Sequence, residues 1–578
     1  MTTIWDIMEP DPDRVRRLAA ALVIDPLVAT VLINRQITSA TAARAFLAPS
    51  LRDITPPEII TDIERAAERL AGAITADENI LVFGDYDVDG VTATAVLLEF
   101  LRDAGGHVSH YIPHRRKEGY GLRAEHIERQ IRHRGCRLVI TVDCGISSHE
   151  AVDVAAAGGI DVIITDHHEP AASLPDAVAV IDPKREDCNA GLDHLAGVGM
   201  AFYLLIALRR RLRDMGFWKQ RPEPNLKHLC NLVALGTIAD MVPLVKENRA
   251  FVQAGLATLS SRPGIKALMD VSGVSPRRVE SDDVAFRLAP RLNAAGRVAH
   301  ASLALRLLTT HDARRAARMA KTLDRLNTRR RQMENMIADQ IHQRIAAQPE
   351  ILEQHALIMA APDWHEGVLG IVAARLARAF TRPVILLAQN GTHARGSARS
   401  IAGIDLYGLL ASCAAHLEHF GGHAMAAGLT LPNDQLTAFT QAFLRHLADR
   451  TGPQDYCRRL SLDAEIALSQ ITPRLLDQLE TLQPFGQGVP EPLFITREVD
   501  VESHRVVGGH HRQMVLRSRH HGNGQRYQAI QFNIDPDQEP PAFFKRMALH
   551  LRWNRWNGSR RPQVMVVATD PETDPRQP

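Results

Sequence analysis

The sequence predicts a multidomain α/β protein: a parallel-sheet domain, a long connecting helix, a second α/β unit and a C-terminal β-barrel. Three observations predict it. Between Ile80 and about Val245, short apolar runs alternate with helical stretches, the pattern of a parallel sheet covered on both faces. A second such alternation spans about Glu353 to Arg450, beyond a long helical stretch. Past the Pro/Gly cluster Gln483–Pro492, only short alternating runs separated by turn residues remain. At 578 residues the chain is too long for one core.

The elements follow in order. Residues 1–79 read as an N-terminal helical segment, with helical spacing over Arg14–Leu22, Ala40–Leu47 and Ile60–Ala73 and turns at Pro49, Pro56 and Pro57. Residues 80–300 read as the principal domain. Its expected strands are Ile80–Phe83, Val108–Ile112, Leu138–Val142, Val162–Thr165 and Ala179–Ile181, and its helices include Val91–Ala104, Glu125–Arg134 and Ser148–Ala157. Residues 301–350 read as one or two long helices. Within them Arg306–Arg331 carries nine Lys/Arg against Asp312 and Asp324, a solvated face suited to line a single-strand channel. Residues 351–452 hold the expected strands Ala356–Ala360 and Pro383–Ala388 and the helix Val368–Ala379. Residues 453–578 hold the barrel runs Phe494–Thr496, Gln513–Arg517, Gln528–Phe532, Met547–Leu551 and Val564–Val567.

Composition excludes several classes. Apolar content of 45% and charged content of 23% are ordinary for a globular protein. A net charge of +2 leaves nucleic-acid binding to local patches. The six cysteines form no CxxC pair, against zinc and disulfide frameworks and for a reducing compartment. No signal-type apolar region and no run of membrane-spanning length occur, so a cytoplasmic protein without a membrane is expected.

The chemistry gathers at strand ends. LVFGDYDVDGVTATA (Leu81–Ala95) ends a strand in Gly84 and three alternating acids, Asp85, Asp87 and Asp89. Such carboxylates repel one another, and hard divalent cations relieve the repulsion. Asp143 follows Leu138–Val142, and Asp166, His167 and His168 follow Val162–Thr165. Asp240 follows the apolar run Leu232–Ile238, taken as a further strand. Singly each residue reads as a cap or a satisfied core histidine. Together, at the carboxyl edge of one sheet, they read as a dinuclear centre in which the imidazole shifts preference from Mg²⁺ toward Mn²⁺.

GDYDVDGVTATA, TVDCGIS, TDHHEP and GTIADMVPL resemble the successive motifs of the DHH phosphoesterase superfamily. Within it they are most similar to the RecJ family of single-strand-specific 5′→3′ exonucleases. YIPHRRKEGYGL, LAGVGMAFYL, LAPRLNAAGRV, WHEGVLGIVAARL, GSARS and FGGHAMAAGL extend the resemblance. It implies that Asp143 bridges two Mn²⁺ or Mg²⁺ ions, that Asp89, His167 and Asp240 complete one shell, and that Asp87 with Asp85 holds the other. His168 would face the scissile phosphate or the more open metal, and Asp166 would orient a histidine. The pyrophosphatase branch places a histidine where this chain has Phe83, which favours the nuclease branch. Two such ions would turn a water into hydroxide for in-line attack on phosphorus.

The end of the strand must also be recognised. Arg115, Arg291 and Arg297 are candidate phosphate grips. The 351–452 unit resembles the DHH-associated domain, which implies that Gly421, Gly422 and His423 contact the nucleotide and that Ser397 and Arg399 hold the 5′-phosphate. Gly421 and Gly422 are expected to open a small-residue helix at an anion site. The barrel resembles the family's OB-fold, with Arg505, Arg552, Trp553, Arg555 and Trp556 as candidate single-strand contacts. The doublets His510–His511 and His520–His521 lack a ligand cluster and read as loop residues. The expected activity is release of 5′-mononucleotides from single-stranded DNA in repair and recombination. The expected protein is a monomer, and the resemblance implies a helicase and a single-strand-binding protein as partners. The alternatives are a DHH phosphodiesterase of short oligonucleotides or cyclic dinucleotides, and a non-catalytic replication scaffold.

Overall fold

In the computed structural model, residues 3–519, 525–556 and 559–571 are described; His520 and His521 lie outside them. The first element is a strand, β1 (Thr3–Ile7), in a region the sequence reads as helical. Its pairing partner lies some 450 residues away, at 458–462, so no local pattern marks it. Helices Pro12–Leu22, Pro26–Asn34 and Ala40–Leu47 follow. Asp11, Asp25 and Ser39 cap them by accepting backbone N–H bonds, and proline opens the first two. Their buried Val28, Val31 and Leu32 pack with the C-terminal barrel, whereas helix Ile63–Thr75 packs on the first sheet.

That sheet comprises β2 (Asn79–Gly84), β3 (His107–Tyr111), β4 (Leu138–Val142), β5 (Asp161–Thr165) and β6 (Ala179–Ile181). All are parallel, in the order β3-β2-β4-β5-β6. Register aligns Gly84 with Val142, Val142 with Thr165, and Thr165 with Ile181. The next residues, Asp85, Asp143, Asp166 and Asp182, therefore share one edge. The strand order reverses between β2 and β4, which opens a crevice at their carboxyl ends.

Asp240 reaches this edge differently from the expectation. Leu232–Ile238 is not a strand but lies within helix Cys230–Asp240, with Asp240 its last residue. The helix is buried on all sides, so its apolar run carries no 3.6-residue period and imitates a buried strand.

Two helices follow in the connecting region, Ser302–Leu308 and the 35-residue Ala313–Ala347, about 50 Å long. The second sheet is built from β7 (Leu357–Ala361), β8 (Val384–Asn390), β9 (His393–Arg399), β10 (His419–His423) and β11 (Ala426–Pro432), in the order β10-β11-β9-β8-β7. FGGHAMAAGL thus forms a hairpin rather than a helix N-terminus. Gly421 stands opposite Gly428, and Gly422 opposite Ala427, as an edge strand.

In the last third, β12 (Arg458–Leu462) pairs in parallel with β1, and the short β13 (Ala464–Glu465) pairs with β14 (Phe494–Val507). β15 (His511–Ser518), β16 (Tyr527–Phe532), β17 (Phe543–Trp556) and β18 (Ser559–Pro571) follow. The order β14-β15-β16-β18-β17 closes through a β17–β14 pairing, giving the expected five-stranded barrel of OB type.

Candidate metal centre

The edge of the first sheet carries a compact set of acids and imidazoles. Asp85, Asp89, Asp143, Asp166 and His167 are all buried. Asp87 caps helix Val88–Asp103, accepting N–H bonds from Asp89 (2.9 Å) and Gly90 (3.1 Å). Asp89 accepts from the backbone of Gly197 (2.6 Å) and Val198 (2.9 Å), at the start of helix Gly197–Asp214. Asp143 sits in the left-handed region (φ 60°), which aspartate tolerates better than most residues. Gly197 is needed beside it: a Cβ there would lie 2.8 Å from both the Cβ and Oδ1 of Asp143.

Three groups of ligand atoms lie within 4.8 Å of one another: Asp85, Asp87 and Asp143; Asp89, His167 and Asp240; and Asp143, His167 and His168. Asp143 belongs to two of them. Asp85 Oδ1, Asp143 Oδ1 and His167 Nε2 are buried without a hydrogen-bond partner. His167 Nε2 stands 3.1 Å from Asp143 Oδ1, yet the two form no hydrogen bond. Orphaned acceptors facing one another are costly in a closed core unless a cation lies between them. Carboxylate oxygens with one or two imidazoles suit Mn²⁺ and Mg²⁺.

Electrostatics agree. Burial, and then Asp87, pushes Asp85 well above the usual carboxylate range. Burial, and then Asp240, does the same to Asp89, as do burial and Asp89 to Asp143. Burial and Asp87 bring Asp240 to about 7. Burial and neighbouring His168 lower His167 to about 3, keeping it neutral and able to ligate. Burial alone would lower His168, but its bond to Asp166 outweighs that and raises it to about 9. Asp166 accepts from His168 Nδ1 (2.7 Å) and from the backbone of Ile146, His167 and His168, so it orients the ring and leaves Nε2 free.

Two residues at this centre were not singled out in the sequence. The Tyr120 hydroxyl donates to the Asp143 carbonyl and lies 3.1 Å from His168 Nδ1; its signal was an aromatic between two glycines in EGYGL. Asp182 is fully buried with Oδ2 unpartnered, and its signal was the same strand-end position as Asp143 and Asp166.

Beside the centre, between the two sheets, lies a cleft of about 420 Å³ lined among others by Tyr86, Arg115, Arg116, Ser397 and Gly421. The Arg115 guanidinium stacks over the Tyr86 ring at 4.7 Å. Burial, and then Arg115, lowers Arg297 to about 9, and the same two causes lower Arg399. Gly370 leaves room for Arg399, since a Cβ there would come within 2.7 Å of Nη2. Among the described residues, no acid forms an ion pair with Arg115, Arg297 or Arg399, so the three guanidinium groups leave a place complementary to phosphate, with Asp87 and Glu334 acting on Arg297 only from a distance. Arg291 is engaged otherwise, with Asp324 (2.8 Å) and the Arg287 carbonyl (2.7 Å). Gly422 and His423 line a neighbouring cavity with Tyr120 and His168.

Most of the barrel candidates are tied to acids or amides within the protein. Arg552 is held by Glu491 and Asp282, Arg555 by Glu480, and the Trp553 indole N–H by Asp477 (3.0 Å). These groups bind the barrel to the helix Pro473–Glu480 and to the first domain. The partner acids are 60 or more residues distant in sequence, which hid the pairing. Arg505 is exposed and bonds Gln513 (2.8 Å). Trp556 ends β17 opposite Ser559.

Comparisons with known proteins follow this geometry. Family models match for the DHH family N-terminal domain over residues 79–237, the DHHA1 domain over 353–449 and the RecJ OB domain over 462–568. The chain is 38% identical over 571 residues to the single-stranded-DNA-specific exonuclease RecJ of Bacillus subtilis (strain 168), covering 97% of this chain and 70% of that protein. It is 36% identical over 559 residues to the protein of the same name from Escherichia coli (strain K12), covering 94% and 95%. The crystal structure of RecJ in complex with Mn²⁺ from Thermus thermophilus superposes with a TM-score of 0.83 at 31% identity, covering 98% of this chain and 79% of that one.

Proposed function

The chain belongs to the RecJ family of single-stranded-DNA-specific exonucleases, and on that premise we propose that it degrades single-stranded DNA from the 5′ end to 5′-mononucleotides, using two divalent cations, Mn²⁺ or Mg²⁺. The observation that carries the reading is the pair of largely buried ligand groups that meet where Asp143 faces His167 (3.1 Å), with orphaned carboxylate oxygens and an orphaned imidazole nitrogen. Asp89, His167 and Asp240 would hold one ion, Asp85 and Asp87 the other, and Asp143 would serve both. Bound there, the ions supply charge neutralisation at the phosphate and acidify the attacking water.

The chain's own residues do the rest. Asp166 fixes the His168 ring with Nε2 free toward the cavity it shares with Tyr120. His168, held above the usual histidine range because its bond to Asp166 outweighs burial, is placed to donate to a phosphate oxygen or the leaving oxygen. Arg115, Arg297, Arg399 and Ser397 grip the terminal 5′-phosphate. The edge-strand glycines Gly421 and Gly422 let the nucleotide approach the backbone, with His423 beside it. This assignment divides the chain into an N-terminal segment (1–79), a DHH domain (80–300), a connecting helix (301–350), a DHH-associated domain (351–452) and an OB-like domain (453–578).

The reading extends to a monomer acting in the cytoplasm, in repair and recombination, beside a helicase and a single-strand-binding protein. The six unpaired cysteines support a reducing compartment. Among the described residues, no single helix is long and apolar enough to cross a membrane.

The test uses single-stranded and duplex DNA labelled at either end, with Mn²⁺, Mg²⁺ or EDTA, and Asp143→Ala as control. Metal-dependent loss of the 5′ label as mononucleotide, from single strands alone, is expected. Release from the 3′ end would overturn the phosphate-pocket assignment, and absence of turnover with either metal would overturn the enzyme.

A further inference from the structure

Residues 281–298 form one continuous helix that contains a π-helical turn at Val284–Leu288. Its two ends are anchored at different places. At the start, the Ser281 hydroxyl donates to the Phe485 carbonyl, and Asp282 accepts from Arg552 of the barrel (3.0 Å). At the end, Gly296 lies against the Tyr86 carbonyl, and Arg297 donates to the carbonyl of Gly367 (3.2 Å), Tyr86 and Gly367 both being residues of the cleft wall. The helix thus runs from the barrel to the site.

One of its side chains has no task in the fold. Phe286 is 75% exposed, although it is among the largest apolar residues on the segment. A single exposed phenylalanine needs no explanation. This one sits on a π-helical turn, a distortion that recurs at functional sites. Phe286, Pro290, Asn293 and Arg297 follow at three- and four-residue spacing and none of them is buried, so Phe286 lies on the side of the helix that also carries Arg297. The helix Cys230–Asp240 packs against the same turn, and Met241, directly after Asp240, is 68% exposed. The turn that carries Phe286 is therefore braced by the helix that ends in the metal-ligand candidate Asp240.

We propose that Phe286 is a stacking platform for a base of the incoming single strand, on the 3′ side of the scissile phosphate. The proposal rests on the exonuclease reading above. An aromatic face accepts any base, as an enzyme that consumes strands without regard to sequence requires. Eleven residues of helix place Phe286 about 16 Å from Arg297, which corresponds to roughly two to five nucleotides from the terminal phosphate, depending on how far the strand is extended. A substrate of two nucleotides would not reach it.

The experiment compares the wild type with Phe286→Ala and Phe286→Trp on a 5′-phosphorylated dinucleotide and on a long single strand, both with Mn²⁺. For Phe286→Ala, the half-saturating concentration on the long strand should rise about five- to hundredfold. Turnover of the dinucleotide should be unchanged, and Phe286→Trp should restore the long-strand value. An abasic residue at one of positions three to six should erase the difference between wild type and Phe286→Ala. Equal behaviour of Phe286→Ala and wild type on long strands would overturn the proposal. So would an equal loss on the dinucleotide, which would mark a structural defect. If the wild type cleaves neither substrate, the exonuclease reading fails first and takes this proposal with it.

Discussion

Replacing Asp143 by asparagine should stabilise the metal-free protein while abolishing its activity. The side chain keeps its shape but loses its charge. In the structure its oxygen shares a 4.8 Å sphere with ligand oxygens of Asp85 and Asp87. Two unit charges 4.8 Å apart repel by about 3.5 kcal/mol at an effective dielectric constant near 20. Buried carboxyls without a cation hold part of their protons at neutral pH, which removes part of this repulsion. A gain of roughly 1–3 kcal/mol therefore remains, or a melting temperature higher by about 2–12 °C for a domain of this size. The assay is thermal unfolding by circular dichroism, in EDTA and in Mn²⁺, with nuclease activity measured in parallel. The wild type should melt higher in Mn²⁺ than in EDTA, by linkage of binding to folding. Asp143→Asn should melt above the wild type in EDTA, respond weakly to Mn²⁺ and be inactive. A variant that melts below the wild type in EDTA would refute the reasoning, because Asp143 would then be contributing favourable bonds rather than enduring repulsion.

Other outcomes follow from separate parts of the molecule. Gly197→Ala drives a methyl group to within 2.8 Å of Asp143 Oδ1 and should weaken Mn²⁺ affinity by about tenfold or more with the fold retained, as read by metal titration of activity. Glu247, buried beside His194 (2.8 Å) and Thr55 (2.7 Å), gives a pH dependence far from the metal site. Burial alone would raise its pKa, but the bonds from His194 and Thr55 prevail and hold it at about 2 against an ordinary 4.5. Its folded pKa is depressed, so its contribution of about 3 kcal/mol is complete above pH 4.5 and disappears as pH falls toward 2. Urea midpoints should show Glu247→Gln flattening the acid limb in that window. Arg552→Met should lower the melting temperature through loss of its bonds to Glu491 and Asp282, while single-strand affinity by fluorescence anisotropy stays near the wild-type value.

The metal centre was legible because its residues stand directly after strands, where an apolar run, a turn and an acid are neighbours in sequence. Asp85, Asp143, Asp166 and His167 all obey that rule. Asp240 was legible as a residue but not as a position, since a helix buried all round has the same apolar signature as a strand. Tyr120 and Asp182 were missed. A tyrosine in a glycine loop carries no charge pattern, and one more strand-end acid looks like a cap. The ion pairs of the barrel were not legible. Arg552, Trp553 and Arg555 read as a free basic-aromatic cluster because local sequence shows cations and rings but not the distant acids that neutralise them. FGGHAMAAGL read as a helix because its small residues favour neither state locally, and only pairing with β9 makes it a hairpin.

The pairing of β1 with β12 makes everything from residue 48 to residue 457 an insertion within a single module. The helices between residues 12 and 47 supply part of the barrel's core, so the module is assembled from two stretches separated by about 410 residues of other structure. Closing so long a loop costs little more entropy than closing a short one, because the cost grows only with the logarithm of length. The timing is the greater constraint. On the ribosome the early helices emerge with Val28, Val31 and Leu32 uncovered, and they wait for most of the chain before their partner exists. Once assembled, the barrel is joined to the catalytic body by two covalent crossings instead of one. It cannot swing about a single hinge, and its place beside the catalytic body is set by two tethers.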